Sequence, residues 1–377
     1  MKPKHIALRS RSFPSRVNFC FGLAASLLAA ASVQAADQVH NASPAAATVN
    51  WTELTWSPAV TDWTSTAGDT FRFGGTTAST VDLDTNIIVG GIANPGAANR
   101  TITATTGNTI TMDGAGLSAT NQVFGNAGVA YIANNNGNGS QGSSRNLNIG
   151  SSTASVTINM LSDLNIGITS GTAHSMNTFG VIVNTSGSAK TLTLLNNLSS
   201  GSGERFVAIN SSVGVTGSAI DIVNAGTGSR GAQLLGTLGS NVTSITQNSA
   251  TSRLIISGDN STGFAAGTGT LTINDGLVTI GATTSLGIGN LIIIGTETTT
   301  GVNTLDFNAG AGSYTIAGIN GSTTTGLLTT STSGLKTITL GGSGNYSFAG
   351  AITASTPANL ALTVALTGSG SQTLLGA

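Results

Sequence analysis

Charged side chains are scarce in this sequence of 377 residues. Asp, Glu, Lys and Arg together make up 7% of it, against about a quarter of an average soluble domain. Five of the 13 basic residues lie in the first 16 positions and all 14 acidic residues lie after position 36, so eight basic residues remain there and the net charge of that part is −6. A weakly acidic chain lacks the positive potential that holds nucleic acid or an anionic membrane surface. We therefore expect no nucleic-acid partner.

Cysteine and proline are scarce as well. Cys20 is the only cysteine and lies in the apolar run 17–33, so the chain beyond that run has no thiol for a disulfide or a metal site. No proline lies between Pro95 and Pro357. Because proline cannot donate a hydrogen bond to a β-ladder, its absence favours strands that are paired at both edges. No apolar period of three to four residues lasts long enough for a helix, and the sequence therefore predicts an all-β fold.

The first 35 residues have the pattern of a signal peptide. Basic residues precede the apolar run 17–33, and Val33, Gln34 and Ala35 form the small-x-small motif of a cleavage site. We expect cleavage after Ala35, export through the inner membrane, and no membrane span in the mature chain. The alternative is an uncleaved N-terminal anchor, although the apolar run is slightly short for a span.

Short runs that alternate apolar and small polar residues follow, separated by Gly, Asn and Ser. The clearest group lies at residues 253–287, where apolar side chains stand two apart, the period of a strand with one buried face. The members of this set are Leu254, Ile256, Leu271, Ile273, Val278 and Ile280. Such a unit buries its apolar face only when similar units lie above and below it. The sequence thus predicts a parallel β-solenoid with these side chains inside, in which about 20 to 25 residues per rung give about 14 to 17 rungs.

The same stretch resembles the autotransporter-associated β-strand repeat. Members of that family have an apolar strand, a Ser-Gly-x-Asn turn, an aromatic residue, a run of small residues, a strand pair around Asn-x-Gly, and a Leu-Gly close. The corresponding residues here are Leu254 to Asn260, Phe264, Leu271 to Gly276, and Leu286 with Gly287. Weaker matches begin at Ile338 and Leu366. The resemblance implies a secreted, right-handed parallel β-helix (solenoid) of the surface or passenger type.

Three regions are expected: a signal peptide at 1–35, a Trp-rich N-terminal cap or head at 36–75, and the β-helical repeat region at 76–377. Within the last region the Asn- and Gly-rich tract 134–142 is predicted to protrude as a loop. The third match stops in mid-motif at Ala377, so we expect either a passenger truncated at its C-terminus or a product released without an anchor. An open final rung presents unpaired backbone groups, and we expect end-to-end self-association from it.

The predicted head contains the one cluster of aromatic residues in the chain. They include Trp51, Trp56, Trp63, Phe71 and Phe73. Indole rings on one face can stack on sugars, which would make a glycan-binding module. The interpretation that we favour is a cap of bulky side chains over the first rung of the solenoid.

Groups suited to catalysis are few and scattered. Asp82 and Asp84 form the only close carboxylate pair, and their same-face spacing on a strand makes them candidate cation ligands, although a solvated surface is the favoured interpretation. His174 has no carboxylate near it in sequence, and Asp259 and Asp275 are interpreted as turn formers. Glycan lyases and hydrolases need clustered carboxylates. We therefore assign no catalytic, cofactor-binding or metal-binding residue and expect no catalysis.

Together these features predict an exported β-solenoid that acts as a structural or surface interaction protein, similar to an autotransporter passenger or an adhesin. Its expected location is the cell surface or the extracellular space, and its expected partners are cell-surface glycans or proteins. A carbohydrate-acting β-helix enzyme, a lyase or hydrolase, is the first alternative. A glycan-binding module that uses the tryptophan cluster is the second.

Overall fold

The computed structural model describes residues 39–42, 48–54, 56–57, 67–74, 78–96, 98–135, 145–170, 174–198, 206–295 and 303–376. They belong to one compact unit, Ala35–Ala377. Within these residues the chain forms short strands and three single 3-10 turns, at Trp51–Glu53, Phe264–Ala266 and Pro357–Asn359, and no α-helix. The all-β prediction is confirmed, whereas the signal peptide predicted at 1–35 lies outside the described residues.

The strands are short, and in chain order they are β1 (Val39–Ala42), β2 (Thr48–Asn50), β3 (Trp56–Ser57), β4 (Thr70–Phe73), β5 (Ser79–Asp82), β6 (Ile87–Val89), β7 (Gly91–Ala93), β8 (Arg100–Thr103), β9 (Thr109–Met112), β10 (Ala130–Asn135), β11 (Arg145–Ile149), β12 (Val156–Met160), β13 (Leu164–Ser170), β14 (His174–Thr178), β15 (Gly180–Asn184), β16 (Lys190–Asn196), β17 (Val207–Ile209), β18 (Ser212–Gly217), β19 (Ile220–Asn224), β20 (Ala232–Leu234), β21 (Val242–Asn248), β22 (Leu254–Ile256), β23 (Thr270–Asp275), β24 (Leu277–Ile280), β25 (Leu291–Ile294), β26 (Asn303–Phe307), β27 (Gly312–Ile316), β28 (Gly318–Asn320), β29 (Gly326–Thr329), β30 (Lys336–Leu340), β31 (Asn345–Phe348), β32 (Ala351–Ile352), β33 (Leu360–Val364) and β34 (Ser371–Leu374).

Two long parallel sheets organise these strands. Sheet A has twelve strands in the order β28-β25-β23-β21-β19-β16-β13-β10-β7-β4-β1-β3, and sheet B has twelve in the order β2-β5-β8-β11-β14-β17-β20-β22-β24-β26-β29-β32. Among the described residues β1 and β3 form the one antiparallel pair. Elsewhere a strand pairs with an earlier and a later strand of the same side, so the chain winds around a common axis as a parallel β-helix.

The third side of the solenoid changes along its length. Strands β6, β9, β12, β15 and β18 form sheet C, and β27, β30 and β33 form sheet D. Between β18 and β27 the described residues have no strand on a third side, and pairing shortens from the strand three ahead to the strand two ahead, as for β19 with β21. In this part the chain passes through turns, and these turns place Leu238 and Phe264 in the core.

The register of the strands places side chains of the same type directly above one another on successive rungs. In sheet B, Leu254 pairs with Val278 and Ile256 pairs with Ile280. All six side chains that the sequence predicts to be inside are 0% exposed. Complete burial of a Leu, Ile or Val side chain stabilises the fold by about 1.5 to 3 kcal/mol. The prediction of a parallel β-solenoid with this inward face is therefore confirmed.

The described residues form fewer rungs than the expected number of about 14 to 17, since each long sheet has twelve strands. Some rungs are also longer than expected. Ser79 pairs with Arg100, but Arg100 pairs with Leu147, which is more than twice as far along the chain. The extra length lies between the strands, at 113–129 and after β10. The tract predicted as a loop starts too early, because Asn134 and its neighbour are strand residues, and 136–142 lie outside the described residues.

Polar side chains lie inside the solenoid at the corner that follows sheet A. Asn94 Nδ2 donates to Asn134 Oδ1 at 3.3 Å, and Asn134 Nδ2 donates to the backbone oxygen of Ser175 at 2.9 Å. Further along, Asn224 Nδ2 donates to Gln247 Oε1 at 2.7 Å. Buried backbone groups must be paired. The amides therefore satisfy carbonyl groups at a corner where the strand ladder ends.

Candidate functional site

Three aromatic residues of the predicted head, Trp51, Phe71 and Phe73, lie in the core. Trp51 is 1% exposed, its ring centroid lies 4.8 Å from that of Phe71, and Phe71 in turn lies 4.6 Å from Phe73. The Arg100 guanidinium carbon lies 5.4 Å from the centroid of the Phe73 ring. A cation in this position is attracted by the electrons of the aromatic face. Trp51 follows β2, the edge strand of sheet B, and it offers no face to a sugar.

The rest of the tryptophan cluster is only partly described. Trp56 belongs to β3, which pairs with β1, and its side chain lies outside the described residues. Trp63 lies outside them altogether. The cap at 36–75 therefore stays a prediction, while the burial of Trp51 removes one of the three rings on which a sugar-stacking surface would depend.

Asp82 and Asp84 do not converge on a common point. Asp82 accepts hydrogen bonds from Thr103 Oγ1 at 2.8 Å and from the Thr105 backbone nitrogen at 3.0 Å, both on the following rung. Asp84 accepts from the backbone nitrogen of Thr52 at 3.2 Å and from its hydroxyl, on the preceding rung. Asp84 is exposed and Asp82 is half-buried, which agrees with the solvated-surface interpretation, and in addition each carboxylate connects its rung to a different neighbour.

Burial and hydrogen bonding act in opposite directions on the Asp82 carboxyl group. Burial raises its pKa, but the hydrogen bonds from Thr105 and Thr103 lower it more, so the pKa lies below its ordinary value. Hydrogen bonds to a carboxylate favour the charged form. The clamp therefore holds Asp82 as an anion.

Other carboxylates serve as clamps in the same way. In each case a side-chain oxygen accepts from a hydroxyl or backbone nitrogen about one rung ahead: Asp163 from the Thr191 nitrogen at 2.9 Å, Asp221 from Thr243 Oγ1 at 2.7 Å and Ser244 Oγ at 2.6 Å, and Asp306 from the Ser331 nitrogen at 2.9 Å. These three acidic residues are spread along the solenoid, and each is hydrogen-bonded to a neighbouring rung.

The remaining sequence candidates lie apart from these clamps. Asp259 accepts from the Ser261 backbone nitrogen at 3.1 Å, which is the turn-forming bond expected of it, and that hydrogen bond lowers its pKa. Asp275 is the last residue of β23, before Gly276 at φ 73°. His174 begins β14, and its side chain lies outside the described residues. No three His, Cys, Asp or Glu residues of the described chain lie close enough to hold a metal ion.

Residues 113–129 form an excursion on the outer face of sheet A, between β9 and β10. At the same corner of the next rung, β12 and β13 are joined by 161–163 alone. The excursion has a small core of its own, in which Leu117 packs against Tyr131. Tyr131 Oη also donates to the backbone oxygen of Asn121 at 3.2 Å. These contacts attach the excursion firmly to the sheet.

Gln122 fixes the tip of this excursion. Its side chain is 2% exposed, and its Oε1 accepts from the backbone nitrogens of Phe124 at 2.5 Å and Asn126 at 3.3 Å. A buried amide oxygen with two donors holds the turn in one conformation. Phe124 is therefore presented half-buried and Asn126 exposed, side by side.

A groove of about 290 Å³ lies between the excursion and the outer face of sheet A. The excursion supplies one wall, with Val123, Phe124 and Asn126, and the following rungs supply the other side, with Thr169, Leu195, Asn197, Ala225 and Thr227. None of the described residues that line the groove is charged. It combines apolar surface with amides and hydroxyls.

Two amides of the groove have unused hydrogen-bonding groups. Asn197 Oδ1 accepts from the Thr227 backbone nitrogen at 2.9 Å and from Thr227 Oγ1 at 3.1 Å, which fixes the orientation of the side chain. Its Nδ2 has no partner among the described residues. The side-chain amide of Asn126 has none there either, although its backbone nitrogen is bonded to Gln122. Both amides are therefore available to a ligand.

No family model, curated protein or solved structure matches this chain. Among the described residues no helix is long and apolar enough to cross a membrane.

A second concavity of about 330 Å³ lies nearer the C-terminal end. Hydroxyl side chains line it, among them Thr283, Thr284 and Thr315, together with Ile288, which is 55% exposed. No insertion comparable to 113–129 builds a wall for it. The groove beside the excursion is therefore the better candidate site.

Neither concavity offers a group that could move a proton near neutral pH, because side chains of Thr, Ser, Asn and apolar residues line them. What the groove can do chemically is bind, through hydrogen bonds and apolar contact. The sequence analysis missed it. The signal that could have found it is the long interval without strand alternation between the runs at Thr109–Met112 and Ala130–Asn135.

Proposed function

We propose that this protein is an exported β-solenoid that works by interaction along its surface, as an adhesin-like or passenger-like protein, and not by catalysis. The observation that carries the proposal is the outward face of sheets A and B. Both sheets have twelve strands, and threonine, serine and asparagine side chains alternate outward with the buried apolar ones. An extended polar face with few charged residues suits multiple weak contacts with a large partner.

The use made of the acidic residues also supports this proposal. A glycan lyase or hydrolase needs two carboxyl groups poised on one substrate. Here Asp82, Asp84, Asp221 and Asp306 each bond to the neighbouring rung. Carboxylates committed to hold the solenoid together are not free to transfer protons.

The repeat resemblance supports a place at the cell surface or outside the cell. Of the residues that carry it, Leu254 to Ile256 form β22, Leu271 to Asp275 belong to β23, and Phe264 is buried in the turn between these strands. We include membership of the autotransporter-associated repeat family, and export across the inner membrane of a double-membrane bacterium, in the proposal.

Expression of the full chain in a double-membrane bacterium tests this function. We expect cleavage at Ala35, accessibility of the chain to external protease, and binding of the purified protein to cell surfaces. A panel of polysaccharides incubated with the protein should release no new sugar ends. Release of sugar ends, or a chain that stays inside the cell, would contradict the proposal, and the first result would favour the enzyme alternative.

The tryptophan alternative has a separate test. Because Trp51 is buried against Phe71, we expect Trp51→Ala to lower stability and to leave the affinity of the folded fraction for glycans unchanged. A folded Trp51→Ala variant with selectively lost glycan binding would favour the tryptophan module instead.

A further inference from the structure

The excursion 113–129 is much longer than the turn that this corner of the solenoid requires, because other rungs close the same corner within a few residues. It carries a core of its own around Leu117 and Tyr131, and it is anchored by a hydrogen bond of 2.8 Å from the Gly114 nitrogen to Ser162 Oγ. Long ordered insertions on a regular scaffold are places where binding function concentrates. The excursion covers only part of the outer face of sheet A, and the groove lies where the excursion ends and the exposed part of that face begins.

The shape of the groove follows from the register of sheet A. Ala133, Gly167 and Leu195 pair in one outward column on successive strands. Gly167 is buried, and a Cβ at this position would lie 2.8 Å from the Leu195 Cβ, so Leu195 packs directly beside Gly167 and is the member of this column that lines the groove. Phe124 stands on the opposite wall. The result is a trough with an apolar side chain at each edge.

We infer that this groove binds a neutral oligosaccharide, an inference that rests on the proposed surface-binding function and names its ligand. Sugars present apolar ring faces and hydroxyl groups together, and the groove offers the matching pair. Phe124 and Leu195 supply apolar surface, and the Asn126 side-chain amide and the Asn197 Nδ2 supply hydrogen-bonding groups. A volume of about 290 Å³ lies near the lower end for small-molecule sites, so it holds about one or two rings of a longer chain.

Charge and topology disfavour other occupants. An anionic polymer needs basic side chains for its charges, and none of the described residues that line the groove is basic. A peptide that adds a strand needs an open sheet edge. The strands beneath the groove, β13, β16 and β19, are each paired on both sides.

Titration calorimetry of the full-length protein with short linear oligomers of glucose, galactose, mannose and N-acetylglucosamine tests the inference. Uronic acid oligomers serve as the anionic comparison. We expect one or more neutral oligomers to bind and the uronic acids not to bind. Phe124→Ala and Asn126→Ala should each weaken binding by about tenfold, as expected for loss of one stacking or hydrogen-bonding contact.

Leu195→Arg is the strongest variant, because the longer side chain fills the groove and should abolish binding. Leu291→Arg is its matched control: Leu291 is another half-buried, outward-facing leucine of sheet A, far along the solenoid. Asn126 is exposed, so Asn126→Ala keeps the test valid if a groove variant loses its fold.

The inference is overturned if no neutral oligomer binds the wild-type protein, or if Leu291→Arg weakens binding as much as Leu195→Arg does. Binding to whole cells separates it from the proposed function. If Leu195→Arg binds cells as well as the wild type does, the saccharide groove is wrong and the surface-binding function stands. If the wild type itself binds no cells, the proposed function fails as well.

Discussion

Strands β30 and β33 are neighbours with the same alternation of side chains, yet they bury it differently. Leu340 of β30 pairs with Val364 of β33. Leu340 is 0% exposed and Val364 is 51% exposed. The strand β30 has β27 on one side and β33 on the other, whereas β33 has only β30 among the described residues. Burial in this fold is therefore supplied by the next rung and not by the sequence of the rung itself.

The largest difference in unfolding free energy should come from placing a charge at each of these two paired positions in turn. Leu340→Asp puts an unpaired carboxylate into the stacked core and should cost about 4 kcal/mol or more of unfolding free energy. Val364→Asp, on the exposed side of the same column, should cost less than about 1 kcal/mol. Urea denaturation followed by circular dichroism measures both. Equal losses would show that the last rung is buried in solution, contrary to the structure.

A smaller effect is expected from the buried amides that connect interior rungs. Asn290 Nδ2 donates to the backbone oxygens of Phe264 at 2.9 Å and Gly269 at 3.1 Å. Asn290→Leu would leave these buried acceptors unpaired and should cost about 2 to 3 kcal/mol.

The matched substitution in the last rung is Asn359→Leu. Asn359 Nδ2 bonds only to Ser355 Oγ at 3.1 Å, at an exposed site, so the loss should be about 0.5 kcal/mol. The same denaturation curves give both values. An equal cost for the two variants would mean that the interior amides do not connect the rungs as described.

The acidic clamps sharpen the comparison through pH. Because the folded pKa of Asp82 lies below its ordinary value of 3.8, the clamp stabilises the fold above that value and is lost as the pH falls through the lower folded pKa. Asp82→Asn removes the titration. The stability of the wild type relative to Asp82→Asn should therefore shrink between about pH 6 and about pH 3, by less than about 1 kcal/mol because solvent screens the group. Urea midpoints at both pH values measure it, and a difference that grows on acidification would contradict the clamp.

The smallest free-energy effect concerns contact between two copies at the last rung. Leu374 is 42% exposed and Leu375 is 66% exposed, next to strand edges that can pair with another chain. We expect a concentration-dependent mass in sedimentation that falls in Leu375→Asp. Leu235→Asp is the control, since Leu235 is 38% exposed but lies beside interior strands. An equal change of mass in both variants would argue against association through the last rung.

The sequence predicts most of the repeated architecture. The two-residue spacing of Leu271 and Ile273 determines which side chains face inward, because a strand alternates its faces whatever lies beside it. The turn role of Asp259 is equally local, since its partner is two residues away.

What the sequence does not predict depends on register. The role of Asp82 depends on Thr103 and Thr105, which come within reach only once a full turn is wound. The groove depends on Thr169 and Leu195, from two neighbouring strands of sheet A, lying opposite an excursion that folds back from another rung. The lengths of the turns determine which residues of successive rungs come together. Turn length produces no periodic pattern in the sequence, so these contacts could not be predicted from it.

Pairing between successive turns of the chain also determines how the fold yields to force. Asp221 holds residues 22 and 23 positions ahead, and Asn260 donates to Ser285, so each contact closes a short length of chain. A pull on the C-terminal end breaks one such turn without loosening those beyond it, because contacts in a solenoid reach only the nearest repeats. Unfolding under force should then proceed in small steps, each of which releases one rung. We therefore expect the molecule to yield gradually under shear and to refold from the windings that remain.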